Sequence, residues 1–122
     1  MPHILVIDDD ESFRHMVRDT LIDLGHTVAE AADGGKGLAL YREQAFDLVF
    51  TDILMPDKEG VETIQLLRAI NPAVKIVAMS GGGQIGPDDY LHMAKLLGAR
   101  HCMEKPFRMD DIRHALAVTL GD

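Results

Sequence analysis

Short apolar runs alternate with amphipathic segments along the whole chain, and this alternation is the feature that most restricts its fold. Three runs are apolar and rich in β-branched residues, as is typical of strands in a parallel sheet that is covered on both faces. They lie at His3–Ile7, Asp47–Thr51 and Lys75–Met79, and weaker candidates for strands lie at Thr27–Ala31 and His101–Glu104. This order predicts an α/β fold with right-handed crossovers and helices on both faces of the sheet.

Apolar residues three or four positions apart mark five helical segments between and after these runs. The members are Phe13, Met16, Val17, Leu21 and Leu24; Leu38 and Tyr41; Val61, Ile64, Leu67 and Ile70; Leu91, Ala94 and Leu97; and Ile112 and Leu116. Gly25 and Gly98 act as stop signals, and Asn71-Pro72 ends a third segment. Because the helical pattern reaches Leu120, we expect one domain over residues 1–122 and no output domain.

Charge and composition exclude several classes of protein. The formal net charge is −8, whereas direct nucleic-acid binding normally requires a basic face. No apolar run approaches the ~20 residues of a membrane span, and the N-terminus lacks the pattern of a signal peptide. Cys102 is the only cysteine, so an internal disulfide is impossible. We therefore expect a cytoplasmic protein that neither binds nucleic acid directly nor inserts into a membrane.

Polar residues that could bind a ligand or take part in a reaction lie where the predicted strands end. They are Asp8, Asp9 and Asp10 after the first strand, Asp52 after the third, Ser80 after the fourth and Lys105 after the fifth. Open α/β sheets bind ligands beyond the carboxyl ends of their strands. If the first and third strands are neighbours, ~4.8 Å apart, their terminal carboxylates converge. Two such charges at ~4 Å repel by about 4 kcal/mol at an effective dielectric constant near 20.

A hard divalent cation would remove this repulsion, and Mg²⁺ accepts carboxylates while it keeps waters and phosphate oxygens. An aspartate at the centre of such a site is a plausible nucleophile, because phosphoryl transfer depends mostly on positioning and charge neutralisation. The Lys105 ammonium and the Ser80 hydroxyl would contact the oxygens of the transferred group. The residues thus favour Mg²⁺-dependent phosphorylation of Asp52.

Five signatures, in order, are similar to those of bacterial two-component response regulators. They are Ile4-Leu5-Val6-Ile7-Asp8-Asp9, Thr51-Asp52-Ile53-Leu54-Met55-Pro56, Gly60, Ala78-Met79-Ser80-Gly81 and Lys105-Pro106-Phe107. Essentially the whole chain resembles the receiver domain of these proteins. The resemblance implies a flavodoxin-like, doubly wound parallel sheet of five strands in the order 2-1-3-4-5.

The resemblance also implies roles for individual residues. Asp52 would accept a phosphoryl group from the phosphohistidine of a sensor histidine kinase or a histidine phosphotransfer protein. Asp9, Asp52 and the backbone carbonyl of Leu54 would ligate Mg²⁺, and Asp8 would act through a metal-bound water. Asp10 matches no ligand position, and we interpret it as a residue of a helix N-terminus.

Ser80 and Lys105 would contact the phosphoryl oxygens. Such a protein catalyses only its own phosphorylation and dephosphorylation, and it would switch the binding of a downstream protein through the fourth and fifth strands and helices.

The family usually carries an aromatic switch residue three positions before the lysine, where this chain has Cys102. We interpret Cys102 as a buried strand cysteine, and we expect the signal to pass from Ser80 through Gly81–Gly83 to a helix over 88–97.

Three alternatives remain at the level of sequence. A phosphatase or phosphotransferase of haloacid-dehalogenase type would carry a second aspartate two residues after the first, where this chain has Leu54. A flavin-binding domain would need a phosphate loop rich in glycine and hydroxyl groups after the first strand. A lone receiver could also serve as a phosphate shuttle or sink within a relay.

Overall fold

Five parallel strands form a single sheet. A computed structural model of the chain describes residues 2–53, 59–80, 98–104 and 108–120, without the side chains of residues 59, 60 and 80. The strands are β1 (His3–Ile7), β2 (Thr27–Ala31), β3 (Leu48–Asp52), β4 (Ile76–Ser80) and β5 (His101–Glu104). Their order across the sheet is β2-β1-β3-β4-β5, and every neighbouring pair is parallel. The predicted sheet order is confirmed.

Two strands, β3 and β4, begin and end one residue later than the sequence pattern predicts. As a result, Asp52 and Ser80 lie within the strands and do not merely follow them. Asp52 pairs with Met79, and Ser80 pairs with Glu104. The backbone of each residue is therefore fixed by the strand pairing, which limits how far it can move.

Four helices are described: α1 (Glu11–Asp23), α2 (Gly34–Glu43), α3 (Glu59–Ile70) and the C-terminal helix (Met109–Leu120). The helix predicted over 88–97 lies outside the described residues. In the ranges that are described, no helix combines the length and the apolar character needed to cross a bilayer. Gly25 and Gly98, the two predicted stop signals, both have positive φ angles, of 95° and 107°, which glycine adopts without the steric penalty of a side chain.

The sheet separates two apolar clusters because alternate strand residues point to opposite faces. On one face, Leu5 and Ile7 of β1 belong to a cluster that includes residues of α2 and α3. On the other face, Ile4 and Val6 belong to a cluster with residues of α1 and the C-terminal helix. All four side chains are fully buried. The central strand β1 is thus held from both sides, as expected for a doubly wound sheet.

Gly37 allows α2 to approach the end of β1 very closely. A Cβ atom built at Gly37 would lie 2.4 Å from Cδ1 and 2.7 Å from Cγ1 of Ile7. Ile7 is fully buried, so its side chain has little room to retreat. Gly35, on the same helix, is exposed, and a Cβ there would meet only the Asp33 side chain, at 3.4 Å. The two glycines therefore offer a matched pair for testing this contact.

We predict opposite effects of alanine at these two positions on the free energy of unfolding, measured by urea denaturation. Gly37→Ala should lower it by about 1–3 kcal/mol, because the added methyl group overpacks the contact with Ile7. Gly35→Ala should raise it by about 0.5–1 kcal/mol, because alanine favours the helix and meets no steric conflict. Equal effects of the two substitutions would show that the approach of α2 to β1 is not tight.

Candidate functional site

Strand pairing brings three carboxylates together at the carboxyl edge of the sheet. Ile7 of β1 pairs with Thr51 of β3, so the next residues in the chain, Asp8 after β1 and Asp52 at the end of β3, lie side by side. One carboxylate oxygen from each of Asp8, Asp9 and Asp52 can be chosen so that the three atoms lie within 4.8 Å of one another. Asp8 is fully buried and Asp52 is 4% exposed, whereas Asp9 is exposed. The predicted convergence of these carboxylates is confirmed.

The junction between β1 and α1 fixes where these carboxylates stand. The Asp8 backbone N–H donates to the Ala31 carbonyl of β2 at 3.1 Å, and the Asp8 side chain accepts from the Asp10 N–H at 2.9 Å. Asp10 is the N-cap of α1, and its carboxylate accepts from the Phe13 N–H at 3.2 Å. This geometry confirms that Asp10 serves the helix N-terminus, as a capping aspartate does.

The charge and geometry of the cluster fit a hard divalent cation. At 4.8 Å, two carboxylates repel by about 3.5 kcal/mol when the effective dielectric constant is near 20. Oxygens that bind one Mg²⁺ at about 2.1 Å lie about 3.0 to 4.2 Å apart, and this range falls within the 4.8 Å limit on the carboxylate oxygens. All donors in the cluster are oxygens, and exposed Asp9 leaves one side open to water and phosphate. The described residues therefore suit Mg²⁺.

The other predicted site residues are described only in part or not at all. Ser80 ends β4 at the same edge of the sheet as Asp52, but its side chain is not described. Leu54 and Lys105 lie outside the described residues, as do Gly81–Gly83 and the segment 88–97. Their predicted roles at the site and in the switch stay predictions.

Cys102 and His101 lie on opposite faces of β5, as strand alternation predicts. Cys102 packs against the apolar cluster on the α2 and α3 side of the sheet, and it is half-buried, less than we predicted. Among the described strands, β5 lies at the edge of the sheet. The His101 ring contacts the His114 ring of the C-terminal helix, with 5.4 Å between ring centroids.

A group of charges around Glu30 connects α1 to β2 beside the site. The Glu30 carboxylate accepts from Arg14 Nε at 3.1 Å and from Arg18 Nη1 at 3.0 Å, and His15 Nε2 lies 3.5 Å away. Burial acts to raise the pKa of Glu30, but the hydrogen bonds from Arg18 and Arg14 outweigh it and hold the pKa below its ordinary value of 4.5. Hydrogen bonds to Asp19 and Glu30 raise the pKa of Arg18.

Arg14 is the residue near the site that sequence reasoning missed. Its Nη1 donates to the backbone carbonyl oxygen of Asp8 at 2.9 Å. One signal was present in the sequence, because a basic residue so close to a helix N-terminus is disfavoured by the helix dipole unless it has a partner. The partner, Glu30, lies on another strand, and no local pattern indicates it.

Comparisons with known proteins agree with this fold. The model of the response regulator receiver domain matches residues 4–117. Chemotaxis protein CheY of Bacillus subtilis is 33% identical over 119 residues, which cover 97% of each chain. Sporulation initiation phosphotransferase F of Bacillus subtilis is 28% identical over 113 residues, or 93% of this chain and 89% of that protein.

Solved structures give the same result. The receiver domain of NtrX from Brucella abortus has a TM-score of 0.89 at 31% identity, with 97% of this chain and 98% of that chain covered. Chemotaxis protein CheY4 of Vibrio cholerae has a TM-score of 0.86 at 30% identity, with 98% of each chain covered. The chain belongs to the response regulator receiver domain family.

Removing one carboxylate should stabilise the protein when no cation is present. In EDTA, Asp8→Asn should raise the free energy of unfolding by about 1–3 kcal/mol, because a repulsion between like charges disappears. Asp9→Asn should act in the same direction but more weakly, since water screens an exposed charge. Urea denaturation measures the stability of both variants and of wild type, in EDTA and in saturating Mg²⁺. In saturating Mg²⁺, wild type should instead be more stable than either variant. Unchanged or lower stability of both variants in EDTA would contradict the account of the cluster.

The Glu30 network should make stability depend on pH. Because the folded pKa of Glu30 lies below 4.5, its contribution is complete above that pH and is lost as pH falls through the folded value. Glu30→Gln should therefore lower the free energy of unfolding by about 1 kcal/mol at neutral pH, and the difference from wild type should shrink on acidification. Urea denaturation across this pH range measures it, and a difference that grows on acidification would contradict this interpretation.

Proposed function

We propose that this chain is a response regulator that accepts a phosphoryl group on Asp52 from the phosphohistidine of a sensor histidine kinase or a histidine phosphotransfer protein. One observation carries the proposal: the buried Asp52 ends β3 with its carboxylate beside those of Asp8 and Asp9. Membership of the receiver family supports the same conclusion.

The proposed transfer forms one bond and breaks one. A carboxylate oxygen of Asp52 attacks the phosphorus, and the phosphorus–nitrogen bond to the histidine breaks as the histidine nitrogen keeps the electron pair. The product is an aspartyl phosphate, which water later hydrolyses to aspartate and inorganic phosphate. Because Asp52 is held by its pairing with Met79, its backbone is already placed before the donor arrives.

Mg²⁺ is the proposed cofactor. Asp9, Asp52 and the carbonyl of Leu54 would hold it directly, and Asp8 would hold it through a water. When bound, it neutralises the negative charge that accumulates as the phosphoryl group enters a site that is already anionic. Ser80 and Lys105 would hold the phosphoryl oxygens in the same proposal.

The proposed output is a change in the binding of a downstream protein. The surface concerned comprises β4, β5, the segment 88–97 and the C-terminal helix. With Cys102 at the position where the family usually has an aromatic residue, we propose that Ser80 and the chain after it pass the signal on. In this proposal, the protein catalyses only its own phosphorylation and dephosphorylation, and it does so in the cytoplasm.

Relatives of this chain differ in length. The match covers 97% of the CheY of Bacillus subtilis but 26% of the transcriptional regulatory protein ZraR of Escherichia coli. A single receiver domain over residues 1–122 that acts without an output domain therefore stays a prediction. The similarity to a protein named a phosphotransferase favours a phosphate shuttle as a second candidate. The family match lends no support to the haloacid-dehalogenase or flavin alternatives.

Acetyl phosphate with Mg²⁺ should phosphorylate the purified protein, and intact-protein mass spectrometry should show one added phosphoryl group. The adduct should be absent without Mg²⁺ and absent in Asp52→Asn. Asp10→Asn is the matched control, because it removes a neighbouring carboxylate but keeps a good N-cap, and it should be phosphorylated as fully as wild type. Undiminished phosphorylation of Asp52→Asn would refute the proposed acceptor.

A further inference from the structure

The Arg14 side chain joins the acidic site to the neighbouring strand β2. It is only 13% exposed, and its guanidinium donates in two directions. Nη1 donates to the Asp8 carbonyl oxygen at 2.9 Å, and Nε donates to the Glu30 carboxylate at 3.1 Å. A guanidinium can do both at once because its donors form a rigid planar fork.

We propose that Arg14 is a positioning residue for the cation site: it holds the Asp8 carbonyl and so fixes the Asp8-Asp9 segment from which two of the carboxylates project. The inference rests on the proposed function, since it assumes that Mg²⁺ binds between Asp8, Asp9 and Asp52. It adds a residue of α1 that touches neither the cation nor the phosphoryl group.

The Asp8-Asp9 segment requires such support because it stands just beyond the end of β1. The Asp8 N–H still bonds to the Ala31 carbonyl, but the Asp8 carbonyl accepts a side-chain donor, Arg14. Asp9 follows directly and is exposed, so its own burial does little to fix it. Mutual repulsion of the three carboxylates acts to push this segment outward whenever the cation is absent.

Glu30 makes the Arg14 guanidinium a firm support. The Glu30 carboxylate accepts hydrogen bonds from both Arg14 and Arg18, and a charge-assisted hydrogen bond is stronger than a neutral one. Glu30 lies on β2, opposite Val6 of β1 in the sheet. The contact therefore ties the Asp8 carbonyl to the sheet itself and not only to α1.

Arg18 provides a matched control. It stands one turn further along α1 and also donates to Glu30, at 3.0 Å, but its Nε donates to the exposed Asp19 at 2.8 Å. Removal of either arginine takes one ion pair from Glu30, so the loss of that pair is common to both changes. Only the removal of Arg14 releases the Asp8 carbonyl.

The test is a titration with Mg²⁺ at a temperature where every variant is folded. Binding is measured by calorimetry and by the backbone NMR signals of Asp9 and Asp52. Arg14→Ala should raise the Kd for Mg²⁺ about tenfold, near the lower end of the range for residues that orient metal ligands. Arg18→Ala should leave the Kd within about twofold of wild type, because its contacts lead away from the site. In EDTA, the Asp9 amide signal should change in Arg14→Ala and not in Arg18→Ala.

Arg14→Lys separates charge from geometry. Lysine keeps the positive charge but lacks the fork, so it should raise the Kd in the same direction, and it replaces the alanine variant if that variant does not fold. An unchanged Kd in the folded Arg14 variants, or an equal rise in Arg18→Ala, would overturn the inference. Wild-type protein without any Mg²⁺ binding would instead refute the proposed function, so the two failures are distinguishable.

Discussion

The pairing of β1 with β3 is the constraint on which the site depends. It places Asp8 beside Asp52, and both follow or end buried strand segments, which keep most water away from these two carboxylates. Repulsion between these like charges lowers the free energy of unfolding, and a domain of ordinary stability can tolerate only a limited loss. In the proposed function, a cation and an incoming phosphoryl group would each change this balance, and such a response would suit a switch.

Neighbouring elements support that arrangement from several directions. Asp10 caps α1 and so sets where the helix starts, while Arg14 reaches back from that helix to the Asp8 carbonyl. On the opposite face of the sheet, the absence of a side chain at Gly37 allows α2 to pack closely against Ile7, the residue just before Asp8. Local helix chemistry, one ion pair and one close packing contact therefore converge on two residues at the end of β1.

The parts of the structure that could be predicted from the sequence are those that depend on residues close together in the chain. The five strands follow from short runs along the chain. The convergence of Asp8, Asp9 and Asp52 follows from where those runs end only if β1 and β3 are neighbours, and that sheet order came from family resemblance. The contact from Arg14 to Glu30 was missed, because it joins a helix to a strand sixteen residues away and leaves no periodic pattern. The one-residue shift of β3 was missed because pairing with β4 can extend a strand to a polar residue such as Asp52.

We propose that the three carboxylates form one cation site with Asp52 as a ligand. Anomalous X-ray scattering from crystals grown with Mn²⁺, which prefers the same oxygen ligands as Mg²⁺, would locate the cation itself. We expect one strong peak within bonding distance of the carboxylates of Asp9 and Asp52, and a much weaker peak in crystals of Asp52→Asn. A peak at another place on the chain, or an equally strong peak in Asp52→Asn, would refute the proposed site.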